Sequence, residues 1–112
     1  MTEPESPSRS DVLQGTLEML TLKALTLQPM HGWGISIRLR QISGDVFDVN
    51  QGSLYPALQR MLLKGWVTAK WQTSANKRRT RVYTLTTAGR AQLGIERRQF
   101  SAIMTALARV MR

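Results

Sequence analysis

Between Asn50 and Gly65 the chain can satisfy its apolar residues in one way only, by burying one side of a helix. Leu54, Ala57, Leu58, Met61 and Leu62 fall at i, i+3, i+4, i+7 and i+8, the spacing that gathers side chains on a single helical face. The other face carries Gly52, Ser53, Gln59 and Arg60, with Gln51 and Tyr55 at its edges. Gly65 follows the last periodic residue and suits a left-handed stop. Short hydrogen-bonding groups and an aromatic at an exposed N-terminal end fit entry into a DNA major groove. An ordinary amphipathic surface helix has the same pattern and is the preferred reading of this stretch by itself, until the residues that follow Gly65 are added. Pro56 poses a local question. With Asn50 as the cap it falls in the second turn and deletes one backbone hydrogen bond; with Ser53 as the cap it falls in the first turn and deletes none. The earlier start is preferred, because it places Gln51 on the polar face.

The rest of the chain supplies the context. Residues 1–10 are polar, with two prolines and three serines, and are expected to form a flexible arm. Ser10 or Asp11 can cap a first helix running to about Gln28, with Leu13, Leu17, Leu20, Ala24, Leu25 and Leu27 on its apolar stripe. Pro29 ends it, since the residue before proline is pushed away from helical angles. A second helix is predicted from Trp33 to Ile42, with Ile35, Leu39 and Ile42 inward and Arg38 and Arg40 outward. Ser43-Gly44-Asp45 is turn chemistry, and Val46, Phe47 and Val49 make an extended link or small strand. Trp66–Gln72 and Thr80–Leu85 are rich in β-branched and aromatic residues and read as a hairpin. Its connecting loop carries Lys77, Arg78 and Arg79. A last helix starts at Thr86 or Thr87. Along it Leu93, Phe100 and Leu107 are seven apart, as are Ile103 and Val110, with Met104 and Met111 beside them. That 3.5-residue period favours a helix–helix seam, broken at Glu96, and a dimer is preferred to packing back on the same domain.

Charge narrows the function. The 112 residues carry 16 Lys and Arg against 7 Asp and Glu, a formal charge of +9. Residues 64–98 hold nine basic side chains against Glu96 alone. Such an excess implies an anionic partner, and its position at a hairpin beside a groove-compatible helix favours nucleic acid. Helix, turn, helix and basic hairpin is the layout of a winged helix. The predicted fold is therefore mainly α with a small β-hairpin wing: a winged helix-turn-helix over residues 11–86 and a C-terminal dimerisation helix over 87–112.

Other function classes find little footing. The chain has no cysteine and a single histidine, His31; no convergent ligands accompany it, so no metal site is predicted and a capping or solvent-facing role is expected. No nucleophile–base pair, paired carboxylates or phosphate loop can be assembled, so neither catalytic residues nor a cofactor are predicted. No apolar run approaches a membrane span and the first ten residues lack the features of a signal peptide, which fits a cytoplasmic protein with no membrane partner. Trp33, Trp66 and Trp71 are expected to serve packing.

Four strings, in order and in spacing, resemble the PadR family of bacterial transcription regulators: His31-Gly32-Trp33-Gly34, Gly52-Ser53-Leu54-Tyr55-Pro56-Ala57-Leu58, Gly65-Trp66-Val67, and the run from Arg81 to Arg90. The resemblance covers roughly residues 12–112. It implies an N-terminal winged helix, a short single-helix dimerisation segment, repression of genes and, often, release from DNA by a small-molecule effector. It also matches the Gly-Ser-Leu-Tyr-Pro segment to the start of the family's recognition helix and Lys77, Arg78 and Arg79 to its wing. Tyr83 is expected to hold the wing strand to the core. Some relatives bind planar ligands between tryptophans near the dimer interface; the last helix here has none, so that pocket does not transfer.

The resulting expectation is a homodimeric regulator of double-stranded DNA with a pseudo-palindromic operator. Gln51, Ser53, Tyr55, Gln59 and Arg60 would read or position on bases, and Lys77, Arg78, Arg79, Arg38 and Arg40 would contact phosphates. Leu93, Phe100, Ile103, Met104, Leu107, Val110 and Met111 would form the dimer seam. The competing expectation is an adaptor that uses the same basic fold to grip an acidic protein.

Overall fold

The computed structural model describes residues 16–112. The predicted arm, the cap at Ser10 or Asp11 and the contribution of Leu13 lie outside the described residues. Helix α1 spans Leu17–Leu25 and buries Leu17, Thr21, Leu22, Ala24 and Leu25. The buried Thr21 hydroxyl donates to the Leu17 carbonyl at 2.8 Å, which satisfies a polar atom in the core. The helix stops three residues earlier than its periodicity predicts. Thr26 and Leu27 turn back with bonds to the Lys23 and Ala24 carbonyls, and Leu27 is exposed. That turn frees Met30–His31 to form strand β1, which local sequence does not announce.

Helix α2 covers Gly32–Ile42. His31 caps it: its Nδ1 accepts from the Gly34 N–H at 2.9 Å, so the ring hydrogen sits on Nε2. Ile35 and Leu39 point inward as predicted, whereas Ile42 is exposed. Helix α3 covers Gln51–Leu63 with Asn50 as its cap, accepting from the Ser53 N–H at 2.8 Å through Oδ1. Pro56 is therefore inside the helix and leaves the Gly52 carbonyl without its i+4 donor. Leu54, Ala57, Leu58 and Met61 are fully buried, and each of the larger ones stabilises the fold by roughly 1.5–3 kcal/mol, enough to outweigh one missing backbone bond. Gly65, at φ +76°, makes the left-handed exit.

Strands β2 (Val67–Thr73) and β3 (Arg79–Leu85) form the hairpin. The sheet is antiparallel with order β1-β3-β2. Residues 46–50 carry no strand. Helix α4 spans Thr87–Val110, capped by the Thr86 hydroxyl, which accepts from the Gly89 N–H and donates to the Gly65 carbonyl. A Cβ on Gly89 would overlap the Trp66 carbonyl and lie 2.6 Å from Leu85 Cδ1. Only a glycine lets α4 cross that close to the base of the hairpin. The core joins α1, α2, α3, the strand bases and Leu93 of α4. The fold is thus a mainly helical winged helix with a small three-stranded sheet, and no described helix is long and apolar enough to cross a membrane.

Candidate nucleic-acid interface

Hairpin register decides what the wing presents. Val67, Ala69, Trp71 and Thr73 pair with Leu85, Tyr83, Arg81 and Arg79, and paired residues share one face of the sheet. At the base this face is apolar, with Val67 and Tyr83 buried. Towards the tip it becomes Trp71, Arg81 and Arg79. The Arg79 guanidinium lies 5.2 Å from the Trp71 ring centre and the Arg81 guanidinium 6.0 Å from it. Arg81 is also 5.8 Å from the Tyr83 ring. Burial pushes the Tyr83 hydroxyl above its ordinary pKa, opposed by neighbouring Arg81. Tyr83 thus anchors the wing to the core.

The loop at the tip is closed by Ser74. Its N–H donates to the Arg78 carbonyl at 2.8 Å, its carbonyl accepts from the Lys77 N–H at 2.9 Å, and its hydroxyl meets both Arg78 backbone groups. Lys77, at φ +63°, makes the turn, and Lys77, Arg78 and Arg79 are all exposed.

The side chains expected to act from α3 divide. Tyr55 is half exposed, its ring against Gly32 at the start of α2, where a Cβ would come within 2.9 Å. Ser53 is half-buried and Gln59 exposed. Gln51 turns towards α2: its Nε2 donates to Ser36 Oγ at 2.6 Å, and its Oε1 is buried with no partner among the described residues. Arg60 reaches away from the N-terminal end, pairing through Nε with Glu18 of α1 at 2.9 Å; Lys64 joins at 3.9 Å. Of the α2 arginines, Arg40 pairs with Asp45 at 3.3 Å, and Arg38 is half-buried with its Nε enclosed and unpartnered among the described residues. Ser53, Tyr55, Gln59 and the three wing cations therefore remain outward, while Gln51, Arg60 and Arg40 are engaged within the chain.

On α4 the seven-residue stripe splits at Phe100. Leu93 is buried in its own chain's core and is unavailable to a seam. Phe100, Ile103, Met104, Leu107, Val110 and Met111 are exposed. Glu96, where the stripe breaks, is half-buried; burial raises its carboxyl above the ordinary value, a Gln92 hydrogen bond lowers it, and Glu18 raises it further.

Reading each tryptophan as a packing residue fails for two of three. Trp66 packs on the core with Lys64 Nζ 4.6 Å from its ring centre, but Trp33 and Trp71 are each 60% exposed. They line a cleft of about 810 Å³ between the wing, the start of α2 and Tyr55, together with Arg78, Arg79 and Arg81. Sequence reasoning does not single out Arg81, which lines this cleft beside Trp71. The strand alternation of Arg79, Arg81 and Tyr83 is visible in the sequence, but their alignment with Trp71 depends on register. No group of three His, Cys, Asp or Glu residues suited to a metal occurs among the described residues.

Known proteins share this architecture. A relative from Lysinibacillus sphaericus, described only as an uncharacterized protein, is 25% identical over 85 residues, or 76% of this chain and 78% of the relative. A transcriptional regulator from Clostridium thermocellum superposes with a TM-score of 0.81 at 20% identity, covering 89% of this chain and 97% of that one. A PadR-like transcriptional regulator from Bacillus cereus gives 0.74 at 23% identity, covering 90% and 96%. A PadR-like transcription factor from Bacteroides fragilis gives 0.72 at 22%, covering 91% and 96%. These likenesses establish the shared fold. The profile of the transcriptional regulator PadR-like family matches residues 21–95, more than half the chain and nearly all of the helix-turn-helix and wing. The chain belongs to the PadR-like family of transcriptional regulators.

Proposed function

We propose that this chain is a homodimeric, sequence-specific DNA-binding repressor. The observation that carries the reading is the common outward exposure of the N-terminal half of α3 and the cationic wing beside it. Ser53, Tyr55 and Gln59 read or position on base edges from the major groove. Lys77, Arg78 and Arg79 neutralise phosphates and supply the salt-dependent part of the affinity. Gln51, held by Ser36, sets the pitch of α3 rather than reading a base, and Arg60 ties the helix to α1. Residues 11–86 form the DNA-binding unit and 87–112 the dimerisation helix. Its stripe from Phe100 to Met111 supports the seam, because a second copy would cover apolar side chains that this chain leaves exposed. Release by a small molecule belongs to the same reading and rests on family membership.

Fluorescence anisotropy against the duplex upstream of the protein's own gene, with a shuffled duplex as control, tests this. The expected outcome is a preference of about 10³-fold or more that weakens as salt rises. Equal binding to both duplexes would remove the claim of specificity. Absence of binding to either, at low salt, would turn the reading towards an adaptor for an acidic protein.

A further inference from the structure

We propose that the cleft between the wing and the start of α2 seats one sugar–phosphate strand of duplex DNA, with Arg79 and Arg81 as phosphate ligands and Trp33 and Trp71 flanking the deoxyribose. The inference rests on the DNA-binding reading above and adds to it the strand, the two indoles and Arg81.

Three observations converge on this occupant. First, Trp33 and Trp71 are large apolar side chains left 60% exposed on the walls of one cleft, so an occupant that covered them would remove considerable apolar area from water. Second, the residues lining the cleft include Arg78, Arg79 and Arg81 and no carboxylate; among the described residues, the acidic partners go instead to Arg40, Arg60 and Lys64. The cleft is therefore complementary to an anion with apolar sides. A deoxyribose–phosphate chain has that alternation. Third, Tyr55 on α3 and Arg78 at the wing lie on the two flanks of the same cleft. When a helix and a hairpin enter neighbouring grooves of a duplex, the backbone strand separating those grooves must pass between them.

Trp71 has a second part to play. Arg79 and Arg81 both stand within cation–π range of its ring. A guanidinium already laid against an aromatic face loses less rotamer freedom when it takes a phosphate. Trp71 is thus a positioning residue for the two arginines as well as a wall of the cleft.

Acrylamide quenching of tryptophan fluorescence, free and with a short mixed-sequence duplex at low salt, provides the test. Trp33→Phe and Trp71→Phe assign the signals, and anisotropy on the same samples confirms complex formation. Expected is loss of quenching at both positions in the complex. Trp71→Ala should weaken binding about tenfold with the salt slope unchanged, and Trp71→Phe should restore most of it. Arg81→Ala should lower the salt slope by about one. A formed complex in which both indoles stay as quenchable as in the free protein would overturn the strand assignment while leaving DNA binding intact. Tighter binding to the separated single strands than to the duplex would overturn it too, in favour of base stacking. If no complex forms at all, the DNA-binding reading itself falls. A planar aromatic anion such as 2-naphthoate that protects both indoles and remains bound alongside DNA would likewise sink the proposal, because the cleft would then be a small-molecule seat.

Discussion

Single residues decide how close the elements can come. Gly89 is the sharpest case, since any side chain there meets the Trp66 carbonyl and Leu85. Gly89→Ala should cost about 3 kcal/mol, read as a lower midpoint in urea unfolding. Leu58→Ala, which opens a void under the fully buried face of α3, should cost about 2–5 kcal/mol by the same measurement. Glu96 tests the electrostatics. Its carboxyl is raised in the folded chain, so the fold prefers the protonated form; this favourable contribution is complete below the unfolded carboxylate range and is lost as pH rises through the raised value. Glu96→Gln should therefore raise the melting temperature at neutral pH, with the gain shrinking towards zero on acidification. A gain that grew as pH fell would contradict the burial argument.

At the scale of elements, the wing and α4 are built in opposite ways. The wing buries Val67 and Tyr83 at its base and holds its cations apart from any described carboxylate partner at the tip. Removing Lys77, Arg78 and Arg79 together should cut the salt slope of DNA binding by about one unit for each phosphate left without its cation, while stability stays nearly constant. An unchanged slope would place the wing away from phosphate. Helix α4 buries Gly89 and Leu93 and then leaves five large apolar residues exposed from Phe100 to Val110, with Met111 exposed just beyond its end. A helix built this way gains little from its own chain in its second half. Leu107→Glu should shift sedimentation from dimer to monomer without unfolding residues nearer the core; a wild-type chain that already sediments as a monomer would dispose of the seam.

For the whole molecule, the formal charge of +9 and the proposed dimer make separate contributions. Charge alone attracts any duplex, and its effect fades with salt. Preference for one sequence needs two recognition helices at a fixed spacing. The Leu107→Glu variant should therefore keep weak, salt-sensitive binding to promoter and shuffled duplex alike but lose its discrimination. Full discrimination by a monomer would mean that a single wing and helix carry all of the specificity.

Much of this is legible in the sequence because it is encoded locally. The period of Leu54, Ala57, Leu58 and Met61, the Asn50 cap, the Gly65 exit, the hairpin and the cationic loop each depend on residues a few positions apart, and they determine the helix-turn-helix and wing. What sequence could not supply were the partners brought from far along the chain. β1 exists only because β3 offers it an edge at Tyr83 and Val82. Gln51 turns inward because Ser36 lies beneath it, and Arg60 turns aside because Glu18 draws it towards α1. Leu93 joins the core while Phe100 does not, although both hold the same heptad position, because the described core elements cover only the first half of α4. Trp33 and Trp71 face one cleft by virtue of the hairpin register and the angle of α2. Local pattern determined which elements form and which faces are apolar; tertiary contact, where bonds over long sequence separation compete for the same side chains, decided which polar and aromatic groups were left free to meet a partner.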